Sequence, residues 1–166
     1  MSFREISPEA LTANVFDAIN KTWILLSSGD KEQYNTMTAS WGGMGILWNR
    51  PVAFVFVRPS RFTYGLMEKG ERFSLSFLPE QYRAALNTCG STSGRDGDKF
   101  AKTGLTPVFD AAPYVEQAHT VLLCKKLYTQ DFDPARFLDP NIEKNYNGKD
   151  YHRMYVGEIT RVLVKE

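Results

Sequence analysis

The chain has 166 residues, of which 43% are hydrophobic, and this length favours a single domain over residues 1–166 with its own core. Its 20 basic and 19 acidic side chains leave a formal charge of +1, which gives no electrostatic ground for a nucleic-acid partner or an anionic membrane surface, and no apolar run approaches the roughly 20 residues of a membrane-spanning helix. The two cysteines form no CxxC pair, which disfavours a disulfide framework and a zinc site, and the charged start "MSFREISPEAL" lacks the apolar centre of a signal peptide, so we expect a cytoplasmic protein.

The first two thirds of the chain alternate predicted strands with short helices. "SPEALTANVFDAI", residues 7–19, has the pattern of an opening helix, with Ser7 as its cap and Pro8 in its first turn. Apolar runs, or alternation of apolar with polar residues, predict strands at 22–28, 34–41, 51–58 and 72–78. Short helices that end at a glycine are predicted within 60–70, where Ser60 is the expected cap, and within 79–90 and 96–104.

The last third contains two longer strands. "HTVLLCKKLYTQ", residues 119–130, predicts one, and "RMYVGEITRVLVK", residues 153–165, predicts a long final strand with a bend at Gly157. A helical pair broken at Pro140 is predicted between them, over 133–146. About six strands without long crossover helices disfavour a doubly wound parallel sheet and favour a small antiparallel barrel with short flanking helices.

Two segments have the composition of anion-binding loops. In "VRPSRFT", Arg58, Ser60, Arg61 and Thr63 lie where a strand ends and a helix begins, and free amide groups, guanidinium groups and hydroxyls together suit a phosphate. The alternative is that Ser60 is a helix cap beside solvated arginines. "CGSTSGRDGDKF", residues 89–100, is either a second anion site or a flexible loop. It is not a P-loop, and the chain contains no GxGxxG motif.

A third segment, "YNTMTASWGGMG" at residues 34–45, places a tryptophan before three glycines. Asn35, Thr38 and Ser40 add hydrogen-bonding side chains to the indole of Trp41. A planar heterocycle could lie on such a strand edge, with the glycines allowing the chain to turn close to it. The alternatives for Trp41 are packing in the core or a contact in a dimer, and for the glycines an ordinary turn.

Taken in order, "NTMTASWGG", "PVAFVFVRPSRFT", "FSLSF" and "CGSTSGRDGDKF" resemble the flavin reductase-like family of FMN-binding split barrels, with flavoredoxin-type proteins as the nearest relatives. The resemblance is strong over residues 20–107 and looser at the final strand. It implies a mostly β fold, a six-stranded antiparallel split barrel with Greek-key connections and short flanking helices. It also implies a homodimer with FMN near the subunit interface.

The resemblance also implies roles for individual residues. The flavin ring would contact Asn35, Met37, Thr38, Ala39, Ser40 and Trp41. The phosphate would bind Arg58, Ser60, Arg61 and Thr63, with Lys99 as a further cationic contact. Cys89 and Ser93 would lie in a loop that closes over the cofactor. His152 stands where many relatives have a histidine near the flavin and nicotinamide, and its alternative role is that of a structural turn residue.

Three functions follow as expectations. The first is an FMN-dependent oxidoreductase of the flavin reductase type, in which NAD(P)H reduces FMN and an acceptor is reduced in turn; the flavin carries the chemistry, which agrees with the absence of a nucleophile or acid–base motif. The second is a flavoredoxin-like FMN electron carrier reduced by a partner protein. The third is a barrel without a cofactor.

Cys89 has no partner cysteine nearby in the sequence, so a small residue beneath the cofactor is favoured over a redox thiol.

Overall fold

The computed structural model describes residues 2–166. This part of the chain contains ten β-strands and four short α-helices. In chain order the strands are β1 (Phe3–Ile6), β2 (Ile24–Gly29), β3 (Tyr34–Ala39), β4 (Gly42–Leu47), β5 (Arg50–Val57), β6 (Arg72–Phe77), β7 (Pro107–Phe109), β8 (Pro113–Val115), β9 (Thr120–Asp131) and β10 (Arg153–Lys165). The helices are α1 (Val15–Asp17), α2 (Phe62–Lys69), α3 (Arg83–Ser91) and α4 (Lys99–Thr103).

The main sheet is a curled, split barrel. Its strand order is β3-β2-β6-β9-β10-β5-β4, with β1 pairing to β10, and its strand pairs are antiparallel. β3 and β4 lie at opposite ends of this order, yet only Ser40 and Trp41 connect them along the chain. Because so short a connection spans at most about 10 Å, the sheet must curl until its two ends approach each other. The predicted antiparallel architecture is confirmed, with β1 and β4 added to the six expected strands.

Both faces of the central strands are buried, because the sheet packs against two separate clusters of apolar side chains. Adjacent residues of a strand point to opposite faces. Leu26 and Leu122 therefore belong to the cluster inside the barrel, whereas Leu25 and Leu123 belong to a cluster that includes Leu86 of α3 and side chains of α4. The second cluster holds α3 and α4 against the outside of the barrel, next to the end of β3.

Gly157 of β10 lies where the barrel interior is closely filled. A Cβ atom at this position would lie 2.5 Å from Phe73 Cζ and 3.1 Å from Cys124 Cβ. The pairing of β10 with β9 also shifts register between Val156 and Gly157, at the position where the sequence predicts a bend. The glycine therefore allows a ring to pack against bare backbone.

We expect Gly157→Ala to lower the free energy of unfolding by about 1–3 kcal/mol, the usual cost of overpacking a core. Gly45→Ala is the matched control, because nothing lies within 4 Å of a Cβ at that position on β4. Urea denaturation of both variants measures the difference. Equal midpoints for the two alanine variants would show that the contact with Phe73 does not constrain this position.

The predicted helix over residues 7–19 is wrong for most of its length. Residues Pro8–Ala10 form a single 3₁₀ turn, and Ser7 makes no capping bond. The helix proper starts after Asn14, whose side chain accepts hydrogen bonds from the N–H groups of Phe16 and Asp17, and it continues as a π turn over Ala18–Thr22. The side chain of Asn14 fixes the start of the helix. Its carboxamide oxygen accepts from the first N–H groups of α1, which have no carbonyl partner within the helix.

Two other segments differ from their predicted structures. The helical pair expected over 133–146 consists of 3₁₀ turns at Pro134–Arg136 and Pro140–Asn145, each preceded by an aspartate that accepts a backbone hydrogen bond. The glycines of 42–45, expected as a turn, lie in β4, because pairing with β5 continues through them. No helix within residues 2–166 is long and apolar enough to cross a membrane.

Candidate functional site

Two neighbouring cavities open where β3 and β5 end and α2 begins, and Arg61 lines both. The first, which we call the Trp41 cavity, has a volume of about 220 Å³ and is lined by Met37, Thr38, Ala39, Ser40, Trp41, Phe56, Arg58, Arg61 and His152. The second, the Lys99 cavity, has a volume of about 250 Å³ and is lined by Asn35, Ser60, Arg61, Phe62, Thr63, Ser91, Thr92, Ser93, Gly94, Arg95 and Lys99.

Arg61 is placed between the cavities by its position as the residue that precedes α2. Its Nη1 donates to the backbone oxygen of Gly90 at 3.0 Å, which ties α2 to the end of α3. Its Nη2 is buried without a hydrogen-bond partner in the described part of the chain. Burial also lowers the pKa of the guanidinium. A buried N–H group without a partner is unfavourable by about 1–3 kcal/mol, and by more when it is charged. A ligand with a hydrogen-bond acceptor at this position would supply the missing partner.

Lys99 is a second buried cation beside Arg61. Lys99 is the first residue of α4 and is 2% exposed. Its Nζ donates to the backbone oxygen of Cys89 at 2.8 Å. Burial, reinforced by the charge of Arg61, lowers the pKa of Lys99 to about 8. The charge of Arg61 disfavours the protonated form of Lys99, and an anion bound beside both cations would favour it.

Hydroxyls and close packing complete the Lys99 cavity. Asn35 Nδ2 donates to Thr63 Oγ1 at 2.9 Å, which fixes both side chains at the cavity wall. A Cβ on Gly94 would lie 2.4 Å from Phe62 Cδ1 and 2.7 Å from Asn35 Oδ1, so a larger residue would displace the loop that carries Thr92 and Ser93. The cavity therefore presents hydroxyls and cations at fixed positions, as an anion site requires.

The Trp41 cavity is aromatic and contains a neutral histidine. The ring of His152 lies with its centre 5.3 Å from that of Trp41 and 6.5 Å from that of Phe56. Its Nδ1 is hydrogen bonded to the hydroxyl of Tyr146 at 2.8 Å. Burial, followed by the charge of Arg58, lowers the pKa of His152 to about 4, and Asp150 opposes this shift. Because Trp41 is 46% exposed, it forms the rim of the cavity.

The structure brings most of the predicted site residues together. Residues 37–41 all line the Trp41 cavity, and Ser60, Arg61, Thr63, Ser93 and Lys99 line the Lys99 cavity. Asn35, predicted beside a ring, lines the Lys99 cavity instead. The hydroxyl of Thr38 is directed to α3, where it donates to the backbone oxygen of Leu86.

Two of the predicted placements are wrong, a cap at Ser60 and a loop at Cys89, and Arg58 lies apart from the other predicted phosphate contacts. Arg58 lines the Trp41 cavity and not the cationic one, and its guanidinium donates to the backbone oxygens of Asn145 and Asp150. Ser60 does not cap α2, because its hydroxyl donates to the Asp150 carboxylate at 2.6 Å. Cys89 lies in α3 and not in a loop, it lines neither cavity, and burial raises the pKa of its thiol to about 11.

Sequence reasoning missed Phe56, Tyr146 and Asp150. Phe56 belongs to β5, whose apolar residues resemble those of any buried strand. Its position at the cavity therefore cannot be predicted from the neighbouring residues. Tyr146 and Asp150 reach the site from a loop about ninety positions beyond β5, and the residues around them form no motif. Arg95 stands in the segment that the sequence singled out; its Nη1 donates to the backbone oxygen of Ser60 at 3.0 Å.

Solved structures with similar folds include an FMN-binding protein, a flavoredoxin and an NADH:FAD oxidoreductase. An FMN-binding protein from Thermus thermophilus, solved with bound p-hydroxybenzaldehyde, is 25% identical with a TM-score of 0.69, covering 100% of this chain and 82% of that chain. The flavoredoxin of Desulfovibrio vulgaris (Miyazaki F) is also 25% identical with a TM-score of 0.69, covering 98% and 78% of the two chains. An NADH:FAD oxidoreductase of Streptomyces globisporus, at 16% identity and a TM-score of 0.64 over 87% and 76%, supports the fold alone.

No curated protein sequence matches this chain significantly. A family model described as "Flavin reductase like domain" matches residues 16–166, which include all the strands from β2 to β10 and the residues of both cavities. The sequence match, the split barrel and the structural neighbours agree with one another, and the chain belongs to the flavin reductase-like family.

Proposed function

We propose that the protein binds FMN, with the flavin ring in the Trp41 cavity and the phosphate in the Lys99 cavity, and that it passes electrons from NAD(P)H to an acceptor. The observation that carries this proposal is the position of Arg61. Its buried Nη2 has no partner within residues 2–166, and its side chain lines both an aromatic cavity and a cationic one. A planar ring joined to a terminal phosphate matches that arrangement.

The Lys99 cavity fits a phosphate on chemical grounds. A phosphate monoester near pH 7 carries a charge of about −1.5 to −2 and three acceptor oxygens. Arg61 and Lys99 supply buried positive charge, and Arg95 adds a third cation to the lining. The hydroxyl of Ser93 accepts from the backbone N–H of Arg95 and keeps its own hydrogen for a phosphate oxygen, whereas those of Ser91 and Thr92 donate to backbone oxygens within α3.

The Trp41 cavity fits the ring system. Trp41 and Phe56 supply aromatic surface, and Met37 adds a polarisable apolar side chain. β3 supplies backbone groups, because it is the end strand of the main sheet and, within residues 2–166, pairs with β2 alone. His152, held neutral by burial, can hydrogen bond to a ring heteroatom without adding a charge.

When bound, FMN would supply hydride acceptance and one-electron transfer. The chain's own contribution is to bind the phosphate, orient the ring and limit the access of water. This division of labour agrees with the linings described above, which contain no cysteine, aspartate or glutamate among the residues that the structure describes. The homodimer remains a prediction, and light scattering of the purified protein tests it.

A flavoredoxin-like electron carrier, which holds FMN and receives electrons from a partner protein, is the second candidate. It is supported by the state of Arg58, the other cation that lines the Trp41 cavity. The guanidinium of Arg58 donates to two backbone oxygens, so it is less available to a nicotinamide nucleotide than a free arginine would be. The likeness to a flavoredoxin at 25% identity points in the same direction.

Anaerobic reduction separates the two functions. The purified protein is loaded with FMN, mixed with NADH or NADPH, and followed by its visible flavin absorbance. The reductase function predicts rapid bleaching by one of the nucleotides. Bleaching by dithionite alone would assign the carrier function, and a protein that retains no FMN after loading would contradict both.

A further inference from the structure

Tyr146 and His152 form a buried pair beside the Trp41 cavity. Tyr146 is 5% exposed and His152 is 8% exposed, and the phenol oxygen lies 2.8 Å from Nδ1 of the imidazole. Their rings are nearly perpendicular, with centres 5.5 Å apart. Tyr146 does not line the Trp41 cavity, whereas His152 does. The tyrosine therefore contacts the histidine from the side away from the cavity.

Both partners are neutral at pH 7. Burial raises the pKa of the Tyr146 phenol against the opposing charge of Arg58, whose guanidinium carbon lies 4.9 Å from the centre of the phenol ring. Burial and the charge of Arg58 lower the pKa of His152 to about 4, with Asp150 acting in the other direction. The pair therefore contains two polar hydrogens, one on the phenol and one on the imidazole, and their contact can use only one of them.

The surroundings decide which hydrogen lies in the contact. Within residues 2–166 the phenol has no acceptor other than Nδ1 of His152. If Nδ1 carried the imidazole hydrogen, the phenol oxygen would accept it and the hydroxyl hydrogen of a buried group would be left without a partner. If the phenol donates instead, the imidazole hydrogen resides on Nε2. Nε2 has no hydrogen-bond partner within residues 2–166, and the imidazole lines the Trp41 cavity, so Nε2 is the ring nitrogen left to bond to a group in that cavity.

We infer that Tyr146 is a positioning residue: its hydroxyl donates to Nδ1 and holds His152 as the Nε2–H tautomer, which directs a neutral N–H donor into the Trp41 cavity. Leaving a buried hydroxyl without a partner is unfavourable by about 1–3 kcal/mol, which corresponds to a preference of roughly 5- to 150-fold for this tautomer. The inference about the tautomer stands on the protein alone. The role of this Nε2–H group, a hydrogen bond to an acceptor atom of a bound flavin ring, rests on the proposed function.

Nitrogen NMR of the protein without cofactor tests the tautomer directly. The chain has two histidines, His119 and His152, so a long-range proton–nitrogen spectrum of ¹⁵N-labelled protein shows two ring systems, and His119→Gln assigns them. We expect His152 at pH 7.5 to show an unprotonated Nδ1 and a protonated Nε2. A protonated Nδ1 in the unsubstituted protein would overturn the inference, and this result does not depend on any Tyr146 variant.

Tyr146→Phe then separates positioning from packing, because it removes the hydroxyl and keeps the ring. We expect the ratio of the Nε2–H tautomer to the Nδ1–H tautomer of His152 to fall by at least about threefold. This is near the lower end of the effect of losing one hydrogen bond. A tautomer ratio equal to that of the unsubstituted protein, in a variant whose thermal midpoint shows that it is folded, would contradict the positioning role.

The flavin-dependent part has its own readout. In the FMN-loaded protein, Tyr146→Phe is expected to change the reduction potential, because the hydrogen bond from Nε2–H to the ring is weakened while the contacts to the phosphate are kept. An unchanged potential would contradict the use of Nε2–H toward the ring. Failure of the unsubstituted protein to bind FMN would contradict the proposed function and leave the NMR result standing.

Discussion

Arg61→Ala is expected to weaken FMN binding by about 1.5–3 kcal/mol, or roughly 10- to 150-fold, which is the range for hydrogen bonds to a charged group. The reason is that Arg61 lines both cavities and that its buried Nη2 has no partner within residues 2–166. The hydrogen bond from its Nη1 to Gly90 is lost in the same variant, so the end of α3 also loses an anchor. Titration of flavin fluorescence with the purified apoprotein measures the change.

The matched control is Arg136→Ala. Arg136 is an exposed arginine that pairs with Asp133 and lines neither cavity, so its removal changes net charge by the same amount without touching the site. We expect its FMN affinity to equal that of the unsubstituted protein. If both variants bound FMN as tightly as the unsubstituted protein, Arg61 would have no role in holding the phosphate.

FMN affinity is expected to fall as the pH rises above about 8, because Lys99 must be charged to hold the phosphate. Burial lowers the pKa of this ammonium to about 8 in the free protein, and a bound anion raises it. Below pH 8 the charge is present before binding. Above pH 8 binding must take up a proton, so affinity falls by up to about tenfold per pH unit until the pKa of the complex is reached.

Titrations of FMN and riboflavin at pH 7 and pH 9.5 measure this effect. Riboflavin shares the ring but lacks the phosphate, so the ratio of the two affinities removes any titration of the flavin itself. Lys99→Met is the matched variant, because it keeps most of the buried side chain and cannot carry a charge. We expect the affinity ratio to depend on pH in the unsubstituted protein and to be flat in Lys99→Met. A ratio that is independent of pH in both proteins would remove Lys99 from the phosphate site.

The sequence predicts the strands of this barrel better than it predicts the segments around them. β2, β5, β6 and the first half of β9 contain continuous or alternating apolar residues over strand-like lengths, and the structure buries most of them. β4 is different, because three of its six residues are glycines, which disfavour strands, and only its pairing with β5 keeps it extended. The start of α1 depends on one side chain, Asn14, which competes with an earlier and equally plausible cap at Ser7.

For the site, local composition predicts the cations and misses what fixes their positions. Arg61 and Lys99 stand in segments whose serines, threonines and glycines identify them as loop residues near helix starts. Their burial, and the unpartnered nitrogen of Arg61, arise only when α2, α3 and α4 pack against the barrel. Asp150 shows the same limit: the carboxylate that binds Ser60 comes from 90 positions away, and no local pattern reports a contact between such distant residues.

The central claim is that the two cavities meeting at Arg61 hold the ring and the phosphate of one molecule of FMN. Calorimetric titration of the apoprotein with FMN and with riboflavin at pH 7 tests it most directly. If Arg61 and Lys99 each contribute one charge-assisted hydrogen bond of about 1.5–3 kcal/mol, FMN binds at least about 100-fold more tightly than riboflavin. Equal affinities for the two ligands, or binding of neither, would contradict the claim.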